Sequence, residues 1–196
     1  MTKPPPHQDA LLNLIVRRAF RAASGSESFH LSSGGQSPFY IDCKQVSLDA
    51  EGAFLIGEAI FGRIKGLGAG GVGGMTLGAD PIATAVSLVS HLHQQPIPAF
   101  IVRKEPKGHG LMRQVEGPIA PQAKVVVVED VITTGGSTLR ALAALSNEGY
   151  CVLKVIALVD RKEGGAARIA KTGTPFESLF TLDDLIRAQA GMKQSA

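Results

Sequence analysis

Cysteine is scarce in this chain. Only Cys43 and Cys151 occur among 196 residues, which excludes the cysteine framework of a small secreted domain and the paired spacing of a zinc site. Both are expected to be small packing residues, with room for one disulfide at most. No run approaches the roughly 20 apolar residues that cross a bilayer. The opening Met1-Thr-Lys-Pro-Pro-Pro-His-Gln lacks the apolar centre of a signal peptide. A cytoplasmic enzyme without membrane contact is therefore expected. Charge of one sign is also missing: 20 Lys and Arg against 17 Asp and Glu leave a net +3, too little to argue for nucleic acid. Arg103, Lys104, Lys107 and Arg113 do cluster, in a way that suits a small polyanion better than a long duplex. Two nucleotide signatures are absent as well. There is no G-x-x-x-x-G-K-[ST], and Gly66-Leu-Gly-Ala-Gly-Gly71 fits G-x-G-x-x-G poorly.

What remains describes a globular α/β domain. Hydrophobic residues make up 44% and charged residues 19%, and the length suits one domain with a full core. Residues 1–8 read as a loose proline-rich tail and 9–196 as one domain. Asp9 is placed to cap a helix carrying Leu12, Ile15, Val16, Ala19 and Phe20, closed by Ser24-Gly-Ser26. Residues 29–42 read as β-like around a turn. A helix over 50–65 offers Phe54, Leu55, Ile56, Ile60 and Phe61 for packing. From residue 69 short strands alternate with helices. The reading is a glycine-rich strand and loop at 69–78, a helix from Asp80 or Pro81 to about His91, and a strand at 99–103. A polar loop over 104–121, a strand and helix over 125–148, and a strand at 152–159 follow. Such alternation implies βαβ units and a central parallel sheet flanked by helices. Thr181-Leu-Asp-Asp184 starts a last helix in capping-box fashion.

The most informative stretch is Val125-Val-Val-Val-Glu-Asp-Val-Ile-Thr-Thr-Gly-Gly-Ser137-Thr138. Four β-branched residues describe a strand buried on both faces. At its end stand Glu129 and Asp130, where open α/β sheets bind their ligands. Val131, Ile132, Thr133, Thr134, Gly135, Gly136 and Ser137 then lead into a helix marked by Leu139, Leu142 and Leu145. Free backbone N–H groups, hydroxyls and a helix N-terminus suit an anion, and the glycines permit close approach. Carboxylate acceptors beside phosphate donors make a site for a phosphorylated sugar. An ordinary strand–turn–helix connection explains Gly135 or Ser137 alone, but not the whole ordered string.

This string resembles the phosphoribosyl pyrophosphate (PRPP) signature of the type I phosphoribosyltransferases, in the version of the orotate phosphoribosyltransferases. The resemblance extends to other segments. Arg103-Lys-Glu-Pro-Lys107-Gly-His109-Gly matches the R-K-x-x-K-x-H-G pattern of that family's flexible catalytic loop. Read from its residues alone, it is a solvated, charged loop. Phe29-His-Leu-Ser-Ser-Gly-Gly-Gln-Ser-Pro-Phe39-Tyr40 resembles the family's F-x-L-x-S-G-x-x-S-P segment with its aromatic pair. Phe39 or Tyr40 can stack on a planar pyrimidine while the other packs in the core. Arg161 follows the strand over 152–159, and by resemblance its guanidinium recognises the orotate carboxylate. The competing reading is a surface ion pair with Asp160 or Glu163.

The chain departs from the family at two points. Many orotate enzymes carry lysine where this chain has Ser32 and Gly78, and each change removes a contact to the diphosphate. The resemblance otherwise implies PRPP binding by Arg103, Lys104, Lys107, His109, Glu129, Asp130 and residues 131–137. Lys107, Arg103, His109 and Asp130 would be catalytic, and Thr133, Arg161, Phe39 and Tyr40 would hold orotate. It implies the type I phosphoribosyltransferase fold with a small hood, and a homodimer with shared active sites. Mg²⁺ would be held mainly by substrate oxygens, with no dedicated protein metal ligands. The expected reaction is orotate plus PRPP giving orotidine 5′-phosphate and diphosphate, in pyrimidine synthesis. Transfer to another base, or a non-catalytic PRPP-binding regulator, are the alternatives.

Overall fold

The computed structural model describes residues 6–23, 28–30, 35–105 and 113–194. Lys107, His109 and Ser32 therefore lie outside the described residues. Chain order begins with helix α1 (Pro6–Arg18) and four short strands, β1 (Phe20–Ala22), β2 (Phe29–His30), β3 (Gln36–Ser37) and β4 (Phe39–Ile41). Helices α2 (Lys44–Ser47) and α3 (Ala50–Ile64) follow, then β5 (Val72–Met75), α4 (Ala79–Leu92), β6 (Ala99–Val102) and β7 (Val115–Glu116). The last third contains β8 (Lys124–Ile132), α5 (Gly136–Asn147), β9 (Cys151–Asp160), α6 (Gly165–Ala170), β10 (Phe176–Thr181) and α7 (Leu182–Gln194).

Six strands form one sheet in the order β10-β9-β8-β5-β6-β7. All its pairings are parallel except β6 with β7. The chain runs from β5 outward to β6, then returns across β5 to place β8 on the other side. That reversal makes a switch point at the carboxyl ends of β5 and β8, the place where such sheets open a ligand crevice.

The four valines of β8 explain the layering. With period 2, Val126 and Val128 face one cluster with Ile56 and Ile60 of α3 and Ile82 and Val86 of α4. Val125 and Val127 face the other, with Ala141 and Leu145 of α5. Helices thus cover both faces, as a near-continuous apolar strand demands. Beside the sheet, β1 pairs antiparallel with β4, and β2 with β3. With α1 and α7 these form the hood. Thr181 and Asp184 complete the anticipated capping box: the Thr181 amide donates to Asp184 Oδ2 at 2.7 Å, and the Asp184 amide to Thr181 Oγ1 at 3.3 Å.

Several boundaries differ from the sequence reading. Helix α1 starts at Pro6 rather than behind an Asp9 cap, so Asp9 sits in its first turn; proline is well suited to a first helical position. The helix also ends at Arg18, because Phe20 pairs with Ile41 in a strand. Phe54 is exposed at 47% while its expected partners Leu55, Ile56, Ile60 and Phe61 are buried. A strand, β7, lies inside the segment read as loop. Strand β8 runs on through the acid pair to Ile132.

Candidate active site

Glu129 and Asp130 do not end their strand; they stand where one of its neighbours stops. On the β9 side pairing continues to Ile132, but on the β5 side it ends at Val127. The edge beside Glu129 and Asp130 therefore opens into the crevice. Alternation starts the two side chains from opposite faces, yet both carboxyl groups line the same two cavities and lie close enough to interact directly. Glu129 is buried against the start of α5, where its Oε2 accepts from Ser137 Oγ and Thr138 Oγ1, each at 2.9 Å. Burial, reinforced by the charge of Asp130, pushes the Glu129 carboxyl up to about 7, against the pull of the two hydroxyls. Asp130 sits next to Gly78, with Oδ1 accepting from the Val131 amide at 2.7 Å.

Gly78 makes room for that carboxylate. A Cβ at residue 78 would lie 2.7 Å from Asp130 Oδ1, closer than real contacts allow. The sequence reading noted the absent side chain at 78; the structure gives its spatial meaning, since Asp130 occupies the space beside the glycine. Residues 76–78 thus face the crevice with a backbone that approaches Asp130 directly. Thr76 Oγ1 donates to Asp80 Oδ2 at 2.6 Å, anchoring this turn to α4.

The loop after β8 turns through Gly135, which has φ +76° and caps α5. That left-handed conformation favours glycine. The amides of Gly136, Ser137 and Thr138 belong to the first turn of α5, where no helical carbonyl precedes them. The loop is braced from behind: the Gly165 amide donates to the Thr133 carbonyl and Arg168 to the Thr134 carbonyl, both at 2.9 Å. The result is a fixed anion cradle at a helix N-terminus.

Two cavities meet at the acid pair. One, of about 500 Å³, is lined by Tyr40, Asp42, Lys44, Glu129, Asp130, Val131, Thr133, Ser137 and Arg161, among others. The second, of about 590 Å³, shares Lys44, Glu129, Asp130, Thr133 and Ser137 and adds Thr76, Leu77, Gly78, Lys104, Thr134, Gly136 and Arg140. They read as two lobes of one cleft joined at a neck. The first carries an aromatic ring and a guanidinium; the second is built of turn backbone, hydroxyls and cations.

Arg161 is not on the surface. It is 4% exposed, and three groups hold it. Nε pairs with Glu163 Oε1 at 2.7 Å, one terminal nitrogen donates to Ser37 Oγ at 2.9 Å, and the other to the Phe39 carbonyl at 3.3 Å. The ion pair with Glu163 exists, yet it orients a buried guanidinium at a cavity wall. Tyr40 lines that cavity and is 41% exposed, tilted against Phe29 at 5.6 Å between ring centroids. Phe39 instead stacks on Phe20 at 5.6 Å, packed against the core.

The cleft gathers Tyr40, Lys104, Glu129, Asp130, Val131, Thr133, Thr134, Gly136, Ser137 and Arg161 from the sequence expectation. Ile132 is in the core beneath α5. Gly135 sets the turn without lining either lobe. Arg103 pairs with Glu116 at 2.8 Å, away from both lobes. Sequence reasoning missed Asp42, Lys44 and Arg140. Asp42-Cys-Lys44 follows the aromatic pair directly, and that proximity was the available signal.

The model of the phosphoribosyl transferase domain matches residues 79–179. An orotate phosphoribosyltransferase of Aquifex aeolicus is 47% identical over 179 residues, covering 91% of this chain and 97% of that protein. The chain belongs to the orotate phosphoribosyltransferase family. Another member, from Thermosynechococcus vestitus, is 51% identical over 176 residues, covering 89% of this chain and 90% of that one. A solved orotate phosphoribosyltransferase, that of Mycobacterium tuberculosis in complex with PRPP, superposes with a TM-score of 0.73 at 31% identity, covering 92% of each chain. Orotate phosphoribosyltransferases are glycosyltransferases that move a pentosyl group, and the central mostly parallel sheet seen here is the frame of their type I fold.

Proposed function

We propose that this chain joins orotate to the 5-phosphoribosyl group of PRPP, releasing diphosphate and forming orotidine 5′-phosphate. One observation carries the reading. Arg161, buried and fixed at the end of β9, shares a cavity with the acid pair and the hydroxyl–glycine loop of β8. A guanidinium at that point matches a carboxylate on a planar base, the feature that distinguishes orotate from uracil.

The site's own groups then take these parts. Tyr40 covers a face of the base, and Arg161 with Thr133 fixes its orientation. Asp130 and Glu129 stand at the neck, where the ribose lies between the two lobes. Their carboxyl oxygens accept from the sugar hydroxyls, and negative charge at the pair favours positive charge on the ring as the bond to diphosphate stretches. Amides and hydroxyls of residues 134–137 receive one phosphate group. Residues 76–78 and Lys104 face the leaving diphosphate. The expectation for Lys107, Arg103 and His109 is closure over that group, excluding water and stabilising its charge.

Magnesium fits this site as a companion of the substrate rather than as a resident ion. Among the described residues no three His, Cys, Asp or Glu side chains converge on one point, and the crevice carboxylates offer negative charge without a cage. The ion would neutralise diphosphate charge, held mainly by substrate oxygens. The reading further includes residues 9–196 as one phosphoribosyltransferase domain, a homodimer with shared sites, a cytoplasmic location, and no nucleic-acid or membrane partner. No described helix is long and apolar enough to cross a membrane. Chromatography of a mixture of enzyme, PRPP, orotate and Mg²⁺ tests the reaction. Orotidine 5′-phosphate and diphosphate should appear in equal amounts, and unchanged orotate at high enzyme concentration would refute it.

A further inference from the structure

Among the described residues, the cations lining the cleft divide by lobe. Arg161 lines only the first lobe, and its charge is met by Glu163. Lys104 and Arg140 line only the second. Lys44 alone lines both, so it stands where the two lobes meet, within electrostatic reach of Asp130. It arrives there for a local reason. Lys44 opens α2 directly after β4, and Asp42 bridges the junction. The Asp42 carboxylate accepts from the Lys44 amide at 3.3 Å, from Gln45 Nε2 at 3.2 Å, and pairs with Lys44 Nζ at 3.0 Å. Cys43 between them is fully buried and anchors the turn. The ammonium is thus held at a fixed point with its side chain 48% exposed.

The facing wall strengthens the case. Residue 78 has no side chain, and the Asp130 carboxylate lies within 2.7 Å of where a Cβ would stand. The turn over 76–78 therefore offers its outermost point to an anion only as backbone. A cation serving the diphosphate at the neck must come from across the cleft, and Lys44 stands there. Its ammonium is kept charged, first by the hydrogen bond to Asp42, with Asp130 adding to the effect against partial burial.

We propose that Lys44 is a PRPP-binding residue whose ammonium pairs with the diphosphate at the sugar's anomeric carbon, Asp42 holding it in place until substrate arrives. The inference rests on the function proposed above and adds to it a contact outside the signature loop and outside the Arg103–His109 segment. No covalent step is involved. A charged hydrogen bond to phosphate, once lost, costs roughly 10- to 100-fold in affinity.

Lys44→Ala, Lys44→Met and Lys44→Arg enzymes, assayed with PRPP and orotate varied separately, test it. Lys44→Ala and Lys44→Met should lower kcat/KM for PRPP by roughly tenfold or more, leaving the KM for orotate within about threefold. Lys44→Arg should recover most of the loss. Calorimetry with PRPP and Mg²⁺ should show the same weakening, with the melting temperature unchanged for Lys44→Met, which keeps the packing of the stem. A kcat/KM for PRPP within twofold of wild type in Lys44→Met overturns the inference, as does an equal rise in the KM for orotate. Wild-type enzyme distinguishes this from failure of the underlying reading: if it binds PRPP yet does not convert orotate, the reading falls. If it converts orotate and only the Lys44 variants behave as wild type, the inference alone falls.

Discussion

Raising the pH from about 5 to neutrality should destabilise this protein by way of Glu129. Burial and the neighbouring Asp130 lift its carboxyl from an ordinary 4.5 to about 7 in the folded chain. Between those values the native state keeps a proton that the unfolded chain has released. Protons bound to the native state alone make stability fall as pH rises. The contribution is therefore intact below the unfolded value and is lost as pH climbs through the folded one. A shift of that size corresponds to about 3 kcal/mol, a large fraction of the ~5–15 kcal/mol that holds a domain together. Glu129→Gln removes the titration while keeping an oxygen for Ser137 and Thr138. Urea unfolding of both proteins at about pH 5, 6, 7 and 8 isolates the effect of the Glu129–Asp130 pair, since titrating groups remote from it cancel in the difference. Relative to wild type, the glutamine variant should gain about 2 to 3 kcal/mol between pH 5 and pH 8. A difference that stays flat over this range, or that moves the other way, would refute the burial argument.

Other consequences follow from the same geometry. Arg161→Lys loses a planar fork held by Ser37, Phe39 and Glu163. It should raise the KM for orotate by roughly 10- to 100-fold while the KM for PRPP changes little; equal effects on both substrates would count against a role in base recognition. Tyr40 and Phe39 should separate function from stability. Tyr40→Ala should weaken orotate with little change in unfolding free energy, whereas Phe39→Ala, which breaks the stack on Phe20, should cost about 2 kcal/mol, below the value for a fully buried ring. Gly78→Ala drives a methyl against the Asp130 carboxylate. Activity should fall by roughly tenfold or more at nearly unchanged melting temperature, and a fully active variant would mean that Asp130 can move without consequence.

Much of this was legible before any coordinates. The four valines announced β8, and their alternation assigned each to a face without knowledge of what covered it. The capping box over Thr181 and Asp184 marked the start of α7. Short elements escaped for want of pattern. Two residues of β7, or three of β1, carry no period, and they exist because a partner strand is present. Side-chain direction on β4 needed the same information. Phe39 and Tyr40 must face opposite ways in a strand, but pairing with β1 decides that Phe39 meets Phe20. The burial of Arg161 depends on Ser37, 124 residues distant in sequence, a proximity no local pattern encodes. Lys44 escaped for a different reason. A single lysine behind an aspartate has the sequence of an ordinary surface turn, and only its position between two lobes gives it meaning.

The central claim is that this cleft selects orotate by its carboxylate. Ultraviolet absorbance of orotate, followed on mixing enzyme with PRPP and Mg²⁺, tests it most directly, with uracil and hypoxanthine run in parallel. Rapid loss of the orotate signal is expected, with no turnover of the other two bases. Comparable turnover of uracil, or PRPP binding by calorimetry without any loss of orotate, would contradict it.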